Sequence, residues 1–88
     1  MITPEKQALK LALYHFDTCP FCVKTRQIIK KTSLDVELKD IRKGPQNRME
    51  LLKGGNKTQV PCLRIEQPNG ETKWLYESGD IIRFIIAL

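Results

Sequence analysis

Apolar residues fall in short runs along this chain, and their period changes from run to run. Leu11 to Phe16 is an almost continuous apolar stretch and reads as a buried strand. After it, Phe21, Thr25, Ile28 and Ile29 recur at helical spacing, while Lys24, Arg26, Lys30 and Lys31 take the other side. Pro20 suits a first helical position, where its missing N–H is not needed, and the two closing lysines suit the negative end of a helix dipole. A helix from Cys19 to about Lys31 is predicted. Leu34 to Lys39 alternates apolar and polar, the period of a strand. Gly44-Pro45 breaks the chain. Gln46 to Lys53 then predicts a short helix with Met49 and Leu52 facing in, ended by Gly54-Gly55. Val60 to Ile65 is a third strand, Pro68-Asn69-Gly70 a turn, and Lys73 to Tyr76 a fourth strand pairing back as a hairpin. From Ser78 to Leu88, Ile81, Ile82, Phe84, Ile85 and Ile86 give a last helix a broad apolar face. Thr3-Pro4 predicts a short leading helix through Ala8.

The order is β-α-β-α-β-β-α. A helix between the first two strands favours a right-handed parallel crossover, and the last two strands are antiparallel. The expectation is an α/β sandwich, a small four-stranded mixed sheet with helices on both faces. With 88 residues, one core and one domain over 1–88 fit, residues 1–10 being an N-terminal extension.

Composition narrows the function classes. Apolar residues make up 41% and charged residues 28%, a globular balance that excludes a disordered tail, a collagen-like rod and a coiled coil. No apolar run approaches the ~20 residues that span a bilayer, so no membrane partner is expected. Glu5 and Lys6 put charge where a signal peptide needs its apolar region, so secretion is not expected either. Three cysteines are an odd number, too few for a disulfide framework; they imply a reducing, cytoplasmic setting with cysteine used for chemistry or metal. Fifteen Lys and Arg against ten Asp and Glu give +5. These charges run from Lys6 to Arg83 interleaved with acids, and aromatics are only 7%, so no stacking platform for nucleic acid is visible. Small anionic ligands suit the charge better.

The sharpest motif is Cys19-Pro20-Phe21-Cys22, where a strand hands over to a helix. Cysteines at i and i+3 in a first turn have Cα atoms roughly 5–6 Å apart, within disulfide reach. Free N–H groups and the dipole at a helix start favour a thiolate at Cys19, and such motifs lower a thiol to about 3.5–7.5. Cys22, one turn in, is the less exposed, which makes Cys19 the nucleophile and Cys22 the resolving thiol. A structural zinc site needs four ligands, and beyond the pair there are only Cys62 and His15, so no metal is expected. His15 reads as a core or rim histidine, Cys62 as buried filler, and Lys24 and Arg26 as added positive charge or solvated helix residues.

Cys19-Pro20-Phe21-Cys22 after a strand, Gln59-Val60-Pro61 opening a later strand and Glu77-Ser78-Gly79-Asp80 opening the last helix together resemble a glutaredoxin, over Leu11 to Leu88. The Glu-Ser pair is also similar to the N-terminal domain of glutathione-transferase-type glutaredoxins, which typically carry a second, all-helical domain; this chain resembles their thioredoxin-like half standing alone. Phe21 replaces the family's usual tyrosine. The resemblance implies a thioredoxin-like fold with Val60–Pro61 cis, so that the Val60 backbone holds an extended substrate. It implies glutathione as reductant, its γ-glutamyl end on Ser78 and Glu77. The usual lysine three residues before the nucleophile is here Phe16, leaving Lys57 or Arg42 for the glycyl carboxylate. The implied activity is glutathione-dependent reduction of disulfide-containing proteins and glutathione–protein mixed disulfides by a Cys19/Cys22 dithiol mechanism, in a monomer with no bound cofactor and a potential of about −200 to −230 mV. The competing reading is a non-catalytic glutathione-binding or iron–sulfur-carrying interaction module; Pro20 and Cys22 favour exchange.

Overall fold

The computed structural model describes residues 9–32 and 34–88, so the helix predicted at Thr3–Ala8 lies outside it. Seven elements follow one another: β1 (Lys10–His15), α1 (Pro20–Lys31), β2 (Val36–Asp40), α2 (Pro45–Gly55), β3 (Cys62–Glu66), β4 (Thr72–Leu75) and α3 (Ser78–Ala87). The sheet order is β2-β1-β3-β4. β1 and β2 are parallel, with Leu11 opposite Val36 and Leu13 opposite Leu38. β3 is antiparallel to both β1 and β4. The hairpin turns through Pro68 to Gly70, where Gly70 sits at φ 91°, a conformation that a Cβ would penalise. This is the expected thioredoxin-like mixed sheet covered on both faces.

Alternation along β1 and β3 divides the interior in two. Leu11, Leu13, Leu63 and Ile65 point to one face and meet Ile29 of α1 with Ile81 and Ile85 of α3. Ala12, Tyr14 and Cys62 point to the other and meet Leu51 of α2. β1 is thus packed on both faces, up to the turn that follows it.

Several helix faces differ from expectation. Phe21 is exposed, because the buried stripe of α1 runs through Cys22, Thr25 and Ile29 and Phe21 lies at its edge. In α2, Met49 and Leu52 face solvent and Leu51 faces in. Gly54 and Gly55 do not end this helix: they belong to it, and Asn56 caps it in the left-handed region at φ 66°. The two glycines make room for aromatics of the sheet. A Cβ on Gly54 would lie 2.0 Å from the Trp74 ring, and one on Gly55 1.7 Å from the Tyr76 hydroxyl. Gly44-Pro45 is the start of α2, with Gly44 at its N-cap. Ile86, included in the apolar face of the last helix, is exposed, since Ile81 and Ile85 already fill the contact with the sheet.

Candidate active site

Cys19 occupies the N-cap of α1, with φ −72° and ψ 117°. Its own N–H donates to the Phe16 carbonyl at 3.2 Å, closing a tight turn off β1. Its sulfur accepts the Cys22 N–H at 3.3 Å. That is the capping role which Ser or Asp usually fills, and a thiolate accepts such a bond more strongly than a thiol. Cys22 is fully buried and Cys19 nearly so. Burial first, then the hydrogen bond with Cys19, push the Cys22 thiol upward. The two cysteines thus differ in their surroundings: the Cys19 sulfur accepts a backbone N–H, and the Cys22 thiol is buried behind it with its pKa pushed upward. Both are free thiols, as is Cys62.

Arg26, read from sequence as added charge or a solvated helix residue, braces this turn. Its guanidinium reaches His15 Nδ1 at 2.8 Å, the Phe16 carbonyl at 3.3 Å and the Asp17 carbonyl at 3.2 Å. Its charge also acts against the upward shift of Cys22. His15 is buried, in keeping with the core side of the core-or-rim reading. Burial first and the Arg26 charge second lower its pKa. The ligand atoms of His15, Asp17 and Asp40 lie within 4.8 Å of one another, a grouping that residues so far apart in sequence did not announce. Each is already occupied: Arg26 on His15, Lys43 on Asp17 at 2.7 Å, and the N–H groups of Arg42 and Lys43 on Asp40 at 2.8 and 2.9 Å.

The Val60–Pro61 bond is cis. Pro61 is buried, and Val60 packs on the core that holds Tyr14 and Leu51. Cys62, next along, is fully buried, and burial pushes its thiol up to about 12, the behaviour of core filler. At α3 the N-cap position belongs to Glu77, not to Ser78. The Glu77 side chain is exposed and makes no capping hydrogen bond, while its carbonyl accepts the Ile81 N–H at 2.9 Å. Ser78 is the first helical residue, half-buried; Asp80 pairs with Arg83. Lys57 stands with its ammonium 4.9 Å from the Tyr76 ring centre. Arg42 stacks on Phe16 at 3.8 Å, which brings a guanidinium to the residue three before Cys19. Nothing in the sequence spacing could show that contact, since 25 residues, spanning a helix and a strand, separate the two.

The profile of the glutaredoxin family matches residues 11–68. The chain belongs to the glutaredoxin family. No curated protein matches it significantly in sequence. Solved structures share its fold. A thioredoxin-like protein superimposes with a TM-score of 0.67 at 23% identity, covering 84% of this chain and 97% of its own. Maleylacetoacetate isomerase from Anaeromyxobacter dehalogenans gives 0.68 at 21%, covering 91% of this chain and 36% of the isomerase. Glutaredoxin from Brucella melitensis gives 0.56 at 13%, covering 89% and 79%. Family and fold together point to thiol redox function.

Proposed function

We propose that this glutaredoxin is a glutathione-dependent thiol–disulfide oxidoreductase of a reducing, cytoplasmic compartment. The observation that carries the reading is the asymmetry of the cysteine pair: Cys19 caps a helix through its sulfur, and Cys22 sits fully buried one turn behind. The Cys19 thiolate attacks one sulfur of a substrate disulfide. A Cys19–substrate bond forms, the substrate S–S bond breaks, and the departing thiolate takes a proton. Cys22 then loses its proton and attacks the Cys19 sulfur, releasing the second substrate thiol and leaving a Cys19–Cys22 disulfide. Two glutathione molecules return the pair to thiols and become glutathione disulfide. On a glutathione–protein mixed disulfide, Cys19 takes the glutathionyl group and a second glutathione removes it.

Glutathione would lie across the cysteine turn. The Val60 backbone would hold its middle, and the free N–H groups at the start of α3, with Ser78, its γ-glutamyl carboxylate. Glu77, exposed and with no side-chain partner among the described residues, would meet the ammonium. Of the two candidates for the glycyl carboxylate, Arg42 is favoured by its stacking on Phe16, while Lys57 is over Tyr76. The structural relative from Anaeromyxobacter dehalogenans holds glutathione in its active site, which agrees with this use of the fold.

A glutathione-coupled assay on the wild type, Cys19→Ser and Cys22→Ser tests the reading. Cys19→Ser is expected to lose all activity. Cys22→Ser is expected to keep activity on glutathionylated substrate and to lose it on protein disulfides. Activity that survives in Cys19→Ser would refute the assignment.

A further inference from the structure

A cleft of about 530 Å³ opens beside the cysteine turn, lined by Phe16, Ile41, Arg42, Pro45, Arg48 and Thr58. Phe16 belongs to the turn itself, since its carbonyl accepts the Cys19 N–H. Thr58 lies two residues before Val60. The cleft therefore lies between Phe16, which closes the cysteine turn, and the loop leading to Pro61, beside the nucleophile. Its floor is apolar, from Phe16, Ile41 and Pro45. Its polar lining carries two guanidinium groups, Arg42 with its Cζ 3.8 Å from the centre of the Phe16 ring and Arg48 three residues into α2 from Pro45.

Among the described residues, neither arginine side chain meets a carboxylate. The acids that could reach them are engaged: Asp17 by Lys43, Asp40 by two backbone N–H groups, and Glu50 by Lys39 at 3.0 Å. Two uncompensated guanidiniums over an apolar floor recognise carboxylates carried on a short aliphatic stem. Glutathione past its cysteine has one residue and one carboxylate, which Arg42 meets in the reading above. Arg48, in the first turn of α2, gives the same cleft a second guanidinium, which a single glycyl carboxylate leaves unpaired.

We propose that this cleft binds an acidic polypeptide segment, so that the preferred substrates are proteins whose reactive cysteine is followed within a few residues by Asp or Glu, with Arg48 as the residue that sets the preference. The inference rests on the oxidoreductase reading. With the γ-glutamyl end at Ser78, which does not line the cleft, residues C-terminal to the substrate cysteine are the ones that pass over Phe16. The reaction is the one already written: a peptide disulfide is reduced to two thiols while Cys19 and Cys22 are oxidised to a disulfide.

The test is single-turnover exchange of the reduced protein with symmetrical disulfides of capped peptides, reading the liberated peptide thiol. Three peptides carry two glutamates after the cysteine, two lysines after it, or two glutamates before it; a fourth is neutral. The peptide with glutamates after cysteine is expected to react about three- to tenfold faster than the neutral one, with the advantage shrinking in salt. Arg48→Glu is expected to invert the order in favour of the lysine peptide. Lys53→Glu makes the same charge change on exposed α2 outside the cleft, and is expected to keep the original order. Equal rates for acidic and neutral peptides would overturn the proposal. So would a preference that survives Arg48→Glu, or one shared by glutamates placed before the cysteine, because net charge would then account for it. No exchange with any peptide or with glutathione disulfide would instead overturn the oxidoreductase reading itself.

Discussion

His15 shows how one contact sets a protonation state. A guanidinium can only donate, so its approach to Nδ1 at 2.8 Å makes that nitrogen the acceptor and puts the imidazole proton on Nε2. Protonating Nδ1 would set two donors face to face and expel Arg26 from the turn carrying Cys19. Asp17 and Asp40 oppose this and Lys43 adds to it, but burial and Arg26 dominate, and the folded pKa lies below the ordinary 6.5. The unfolded chain then binds the proton first, so this group's stabilisation is complete above pH 6.5 and fades as pH falls through the folded value. His15→Asn still offers Arg26 an acceptor and does not titrate here. Urea midpoints above and below pH 6.5 should fall more in the wild type than in His15→Asn; parallel curves would show that His15 titrates normally.

At the scale of elements, α2 is joined to the sheet through polar and aromatic contacts where an apolar stripe was expected. Leu51 is its one buried apolar residue. Beside it, Glu50 accepts the Tyr14 hydroxyl at 2.9 Å and pairs with Lys39 at 3.0 Å, and Arg64 donates to the same hydroxyl at 2.9 Å. Glu50→Ala removes the acceptor of the Tyr14 hydroxyl and, among the described residues, leaves Lys39 only Glu37 at 3.6 Å and Arg64 only Glu66 at 3.4 Å, and should cost about 1–3 kcal/mol in denaturant unfolding. A loss below a few tenths would mean that water replaces the carboxylate freely. The start of α3 makes the opposite prediction. Glu77 has no capping bond to lose, so Glu77→Ala should shift the melting temperature by no more than about 2–4 °C, as surface changes of about 0.5 kcal/mol or less do in a domain of this size. In a glutathione titration followed by NMR the same variant should bind roughly 10- to 150-fold more weakly, the loss of one charge-assisted hydrogen bond. Unchanged affinity would remove Glu77 from the γ-glutamyl site.

Across the whole molecule, β1 and β3 serve two cores at once, so neither helix layer can leave without exposing the sheet. Leu13 lies in the core shared with α1 and α3, and Leu51 in the core under α2. Leu13→Ala and Leu51→Ala should each cost about 2–5 kcal/mol. Trp74, the only tryptophan, packs on the α2 side, with its ring centre 5.6 Å from that of Tyr14. Its fluorescence and far-ultraviolet circular dichroism should give one coincident transition in both variants. A separate fluorescence transition in Leu51→Ala would show that the α2 layer unfolds alone.

The sequence by itself determined the order and type of the elements, the parallel-then-antiparallel sheet and the cysteine pair at a helix start. Each of these rests on local physics: a hydrophobic period, a proline that tolerates only certain positions, glycines in turns. The inward face of α2 was not legible, because Asn47, Leu51, Gly54 and Gly55 form no hydrophobic pattern, and the fit of the two glycines depends on Trp74 of β4 and Tyr76 just after it. The exposure of Phe21 was hidden for a related reason: helical period places a residue around an axis and says nothing of what covers it. Tertiary structure alone decided which charges serve the cysteine turn. Arg26 and Arg42 look like any other basic residues in the chain, and only the meeting of β1, α1 and the segment after β2 sets one on His15 and the other on Phe16.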